Sequence, residues 1–113
     1  MPRRFTVPIN VTAPADSDSF YSLYTVREAH VVAREIELSF ESGVHDVLFA
    51  SLYYGDLKVA PTVGEYTGDG GRVRDVIQVH YFRGDQIKLR VRNTDTANSH
   101  YLVGSLELEE VAE

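Results

Sequence analysis

Four histidines, His30, His45, His80 and His100, are the only side chains of this chain that could offer nitrogen to a transition metal. A cupin-type site sets two histidines one residue apart on a strand, with a carboxylate a few residues on, so that all project from one face. No two histidines here lie closer than fifteen positions, so isolated histidines and no metal are expected. Cysteine is absent, which removes disulfides, thiolate ligands and thiol nucleophiles together. A serine or threonine nucleophile needs a base within hydrogen-bond reach. No Gly-x-Ser-x-Gly elbow occurs, and the carboxylates are scattered instead of paired as in a glycosidase. The expectation is no catalytic residue, no cofactor and no enzyme.

Three shorter motifs also read as turn chemistry. Gly68-Asp69-Gly70-Gly71 lacks the lysine and the following helix of a phosphate loop. Asp56, Glu65 and Asp69 match no defined calcium loop. Arg83-Gly84-Asp85 spells an integrin-recognition tripeptide, but between two strand patterns it reads as a hairpin turn with Gly84 supplying the unusual backbone angles.

The aromatic residues carry more information. The doublets Phe20-Tyr21, Tyr53-Tyr54 and Tyr81-Phe82 place an aromatic on both faces of their strands, so one member of each looks outward. An outward tyrosine stacks on a sugar ring or fills a protein interface, where it buries area at little entropic cost. With the basic start Arg3-Arg4-Phe5, these six residues form the candidate interface: Arg3, Arg4, Phe5, Phe20, Tyr21, Tyr53, Tyr54, Tyr81 and Phe82.

The elements that position them are strands. Along residues 32–40, Val32, Ile36, Leu38 and Phe40 alternate with Ala33, Glu35, Glu37 and Ser39, as in a half-buried strand. Residues 87–92 alternate Ile87, Leu89 and Val91 with Lys88, Arg90 and Arg92. Residues 44–54 and 76–82 are apolar on both faces, which predicts central strands or a face covered by a neighbouring subunit. Weaker strand patterns over 4–11, 20–26, 57–60 and 101–108 bring the total to about eight, and no segment predicts a helix. The fold class predicted is all-β, an eight-stranded antiparallel β-sandwich of jelly-roll type. Its domain division is an extended N-terminal arm over 1–13 and a single sandwich over 14–113.

Composition sets the outer limits. At 43% hydrophobic and 25% charged, 113 residues suit one globular core. A net charge of −6 disfavours nucleic acid, whose phosphates a binder must neutralise. No apolar run approaches the roughly twenty residues of a membrane span, and Met1-Pro2-Arg3-Arg4-Phe5 lacks the apolar stretch of a secretion signal, so a soluble protein is expected.

The whole arrangement resembles the small jelly-roll accessory proteins that decorate tailed-virus heads. The matching features are the stretch from Phe5-Thr6-Val7-Pro8 through Val11-Thr12-Ala13, and the strand Ile36 to Phe40 ending at Ser42-Gly43. Val59-Ala60-Pro61 with Gly64-Glu65-Tyr66-Thr67-Gly68-Asp69 follows, and then Arg92-Asn93-Thr94-Asp95 leading through His100 to the last strand. The resemblance implies a structural virion protein on the capsid surface: a homo-oligomer, with a trimer expected, that binds the major capsid protein or another virion component and has no membrane or nucleic-acid partner. It transfers no catalytic residue. On this reading the arm reaches across to an acidic neighbour, and its removal leaves the sandwich folded. The alternative from the residues alone is a carbohydrate-binding module, in which the outward tyrosines line up as a flat platform.

Overall fold

The computed structural model describes residues 3–111. Eight antiparallel strands follow one another: β1 (Arg4–Ala13), β2 (Ser17–Thr25), β3 (His30–Phe40), β4 (Leu48–Tyr54), β5 (Leu57–Ala60), β6 (Arg72–Phe82), β7 (Gln86–Asn93) and β8 (His100–Glu110). They form two four-stranded sheets, β1-β8-β3-β6 and β2-β7-β4-β5. The chain crosses between the sheets at every connection but β4 to β5, and this order is that of a jelly roll.

Alternation explains the core. The inner faces contribute Val7, Ile9 and Val11 from β1, Ile36 and Leu38 from β3, Leu48 and Leu52 from β4, Ile87, Leu89 and Val91 from β7, and Leu102, Leu106 and Leu108 from β8, all buried. Each fully buried branched aliphatic contributes roughly 1.5–3 kcal/mol. The outer face of the first sheet carries cross-strand ion pairs instead: Arg72 with Glu37 and Arg74 with Glu35, both at 2.8 Å, and Arg34 with Glu109 at 2.9 Å. The guanidinium side of these pairs is well exposed, and such pairs contribute little beyond register.

Several expectations are corrected. The stretch read as an arm is strand β1, paired along its whole length with β8 from Arg4↔Glu109 to Ala13↔His100. Its Val7, Ile9, Val11 and Ala13 are core residues, so its removal would open the sandwich. Met1 and Pro2 of that stretch lie outside the described residues. The weaker strand pattern read over 4–11 is therefore the one that holds, and Pro8 fits within it because β1 is an edge, where a missing N–H is tolerated. Arg83-Gly84-Asp85 is no hairpin: β6 and β7 lie in opposite sheets, and the turn arches between them with Gly84 at φ 93°. Residues 76–82 lie in an edge strand rather than a central one.

Candidate functional site

The nine candidate interface residues fall in separate places. Arg3 sits over the Phe5 ring at 4.7 Å and pairs with Glu28 at 2.8 Å, while Phe5 meets Tyr24 edge-on and Arg4 lies 3.7 Å from Glu107. Tyr21, Tyr54 and Tyr81 turn inward. Tyr81 is fully buried, stacks on Tyr54 at 5.3 Å and donates its hydroxyl to the Tyr53 carbonyl at 3.0 Å, so it is a core residue and not an interface one. Burial pushes its phenol above the ordinary range. Phe82, its doublet partner, looks outward from the first sheet and stacks on His30 at 4.6 Å.

Phe20 and Tyr53 share the outer face of the second sheet. Arg90 donates from Nε and Nη2 to the two carboxylate oxygens of Asp18 and from Nη1 to the Tyr53 hydroxyl at 3.4 Å; Arg92 lies over Phe49 at 4.5 Å and donates to Glu65 at 2.7 Å. These arginines are the reason β4 is apolar on both faces: they cover its outer side from β7, where a neighbouring subunit had been one expectation. Phe20 and Tyr53 meet at 89°, ring edge against ring face. The two rings therefore do not form the flat platform that the carbohydrate reading expects of the outward aromatics.

The histidines are less isolated than their spacing implied. His30 Nε2 lies 2.8 Å from His80 Nδ1, because the β3–β6 ladder sets Val32 opposite His80 and His30 opposite Phe82. Among the described residues, no group of three or more His, Asp or Glu is placed to hold a metal ion. His100 is held between two carboxylates, with Nε2 2.8 Å from Asp95 and Nδ1 3.4 Å from Glu41. Asp95 first, and then Glu41, hold its pKa above the ordinary 6.5. The Ala97 backbone N–H, then His100, hold Asp95 down at about 2. A raised histidine stabilises the fold below its unfolded pKa of 6.5 and loses that contribution as pH rises through the folded value. The depressed Asp95 contributes above 3.8 and loses it as pH falls through about 2. The clamp is therefore strongest between those limits. Melting temperatures measured from about pH 5 to 9 should decline on the alkaline side for the native chain and stay level for His100→Gln. Parallel curves would show that the clamp is not protonated.

Among the described residues, an open flank lies between the edge strands β5 and β6. On the opposite flank a short turn joins β1 to β2 and closes the sandwich. Between β5 and β6 runs a groove of about 450 Å³ lined by Tyr54, Leu57, Val59, Gln78, Val79 and His80. On the same side of the fold Tyr66 bridges to Ala50 of β4 and donates its hydroxyl to Asp75 of β6 at 2.5 Å, tying the β5–β6 loop to both sheets. Leu57 is 67% exposed, Val63 86% and Val76 77%, and all three belong to β5, β6 or the loop joining them. None was among the candidates, because each stands alone in the sequence and only the closure of the two sheets brings them to one flank.

No family model matches the chain, and no curated protein matches it in sequence. Solved structures do match in fold. The subunit of a Bacillus endospore appendage, from a family of disulfide-linked pili, superposes with a TM-score of 0.54 at 14% identity, over 99% of this chain and 89% of that one. The VP2 subviral particle of infectious bursal disease virus gives 0.57 at 19% identity, and the Gt strain of that virus 0.54 at 18%. Each covers 96% of this chain, which spans about a third of the viral chains it matches. With no cysteine, this chain has no counterpart to the disulfide linkage of that pilus. The fold is shared with structural proteins of a virus capsid and a pilus.

Proposed function

We propose that the protein is a structural subunit of a virus particle, a jelly-roll decoration or accessory protein that self-associates and binds the outside of the capsid. The observation that carries this reading is the apolar flank between two sheet edges, where Leu57, at the margin of the groove, and Val63 and Val76 stand exposed on β5, β6 and the loop joining them. Exposed apolar surface joined to a free strand edge is an aggregation hazard unless a partner covers it. The likeness to viral capsid chains supports the virion location. The net charge of −6 favours a protein partner over a nucleic acid. A ring of three, the symmetry expected from the sequence, requires two different patches on each copy, whereas one flank can be covered by its own symmetry mate. The pair is the form we favour.

Added to capsids purified from the virus that carries its gene, the protein should pellet with them at a fixed ratio to the coat protein. If it stays in the supernatant at every concentration at which it self-associates, capsid attachment is overturned.

A further inference from the structure

Three of the four sheet edges carry a device that discourages pairing with another chain. β1 has Pro8 at its middle, β2 breaks register between Ser22 and Tyr24, and β5 is four residues long with Lys58 in it. β6 is guarded only at one end, by Arg72, Arg74 and the inward Asp75, whose carboxylate is occupied by the Tyr66 hydroxyl. It runs for eleven residues without proline, glycine or lysine, and Val76 to Phe82 carry no carboxylate, lysine or arginine. Its register against β3 shifts once, yet its own in-out alternation is unbroken, with Val76, Gln78, His80 and Phe82 outward and Val73, Ile77, Val79 and Tyr81 inward. At about 3.3 Å per residue such an edge is roughly 36 Å long. The molecule is 23 Å across its shortest extent, so this flank offers on the order of 800 Å², the share per partner of a standard interface.

We propose that β6 is a self-docking edge, and that two copies of this chain pair their β6 strands antiparallel about a two-fold axis through Ile77, joining their first sheets into one. This rests on the self-association reading above and names the surface that performs it. Ile77 is the midpoint of β6, so the axis there gives full overlap. Arg72 then faces the partner's Phe82, Arg74 the partner's His80, and Val76 the partner's Gln78. No arginine faces an arginine, and Asp75 faces the partner's Val79; moving the axis to Asp75 would set two carboxylates opposite each other. Arginine over an aromatic ring is a contact this chain already makes twice, at Phe5 and Phe49. A strand from a different protein would have to carry the complementary order of residues, which a second copy brings by symmetry. The two grooves would then face each other across the axis, with the exposed Leu57 of each copy at their margin.

Light scattering on the full chain at tens of micromolar should give twice the 12.7 kDa chain mass. Val76→Lys, a change at an exposed position, should give the single-chain mass with an unchanged far-ultraviolet dichroism spectrum. Because the chain lacks cysteine, Val76→Cys and Gln78→Cys variants mixed under mild oxidation should form a covalent pair in higher yield than either alone. A native chain that stays at the single-chain mass overturns both this inference and self-association. An oligomer whose mass Val76→Lys leaves unchanged, and whose mixed cysteine variants do not cross-link, overturns this inference alone.

Discussion

Replacing Gly104 by alanine should lower the melting temperature by about 12 °C or more, from a cost of roughly 3 kcal/mol for forced overpacking in a domain of this size. Gly104 lies in β8, paired on one side with Ile9 of β1 and on the other with Leu38 of β3. A Cβ built on it would overlap the Glu37 carbonyl oxygen and come within 3.0 Å of the Leu38 Cα. Both obstacles are backbone, so no rotamer change relieves them and β3 must move away from β8. That shift would open the ladder that holds β1 to the rest of its sheet. Thermal melts followed by circular dichroism check this, and a drop under about 4 °C, the shift expected from only about 1 kcal/mol, would mean that the sheet absorbs the methyl group.

Asn93→Asp should be comparably damaging at neutral pH, at a cost of about 3–5 kcal/mol for an uncompensated buried charge. Asn93 ends β7 and is 1% exposed. Its Nδ2 donates towards the carbonyls of Ala13, Pro14 and Asn98, each 3.1 Å away, and its Oδ1 accepts from the Asp95 backbone N–H at 3.0 Å. One amide thus holds the β1–β2 turn and the β7–β8 loop together. The near-isosteric carboxylate would point a negative oxygen at three carbonyl oxygens. Its folded pKa would lie above its unfolded one, so the penalty should shrink as pH falls, because the neutral acid regains one donor. Denaturant titrations at about pH 7 and pH 4 separate this from simple loss of packing, which would cost the same at both.

The sequence carried the jelly roll through its alternation. Residues 36–40 and 87–92 announce their inner and outer faces because both lie in inner strands of their sheets, packed on one side and wetted on the other. Over 32–35 the alternation misleads: a bulge between Ala33 and Glu35 reverses the faces, so Ala33 joins the core and Val32 stands on the outer face opposite His80. Residues 44–54 are less transparent: the outer apolar positions of β4 are covered by Arg90 and Arg92 from a strand about forty residues away, which no local pattern reveals. Asn93, read only as the start of a polar loop, is buried because three carbonyls from two other segments converge on it. The interface candidates rest on local signals, three aromatic doublets and a basic start, and the two sheets disperse them. The open flank is built from Leu57, Val63 and Val76 and from the groove that Leu57 borders, and these come to one side only once β5 and β6 become edges of facing sheets.

The pairing of β1 with β8 sets a timetable for making this protein. Ladder partners in these two strands are separated by between 87 positions (Ala13 to His100) and 105 positions (Arg4 to Glu109). β8 also stands between β1 and β3, so the first sheet has a gap in its middle until β8 is available. At about 5–20 residues per second of synthesis, β1 waits on the order of 5 to 20 s with Val7, Ile9 and Val11 unpaired and open to water. The first sheet is thus completed only after β8 has been made, with slow closure of long-range contacts as the final step. Yield in the cell then depends on what shields β1 during that wait, as well as on how stable the finished sandwich is.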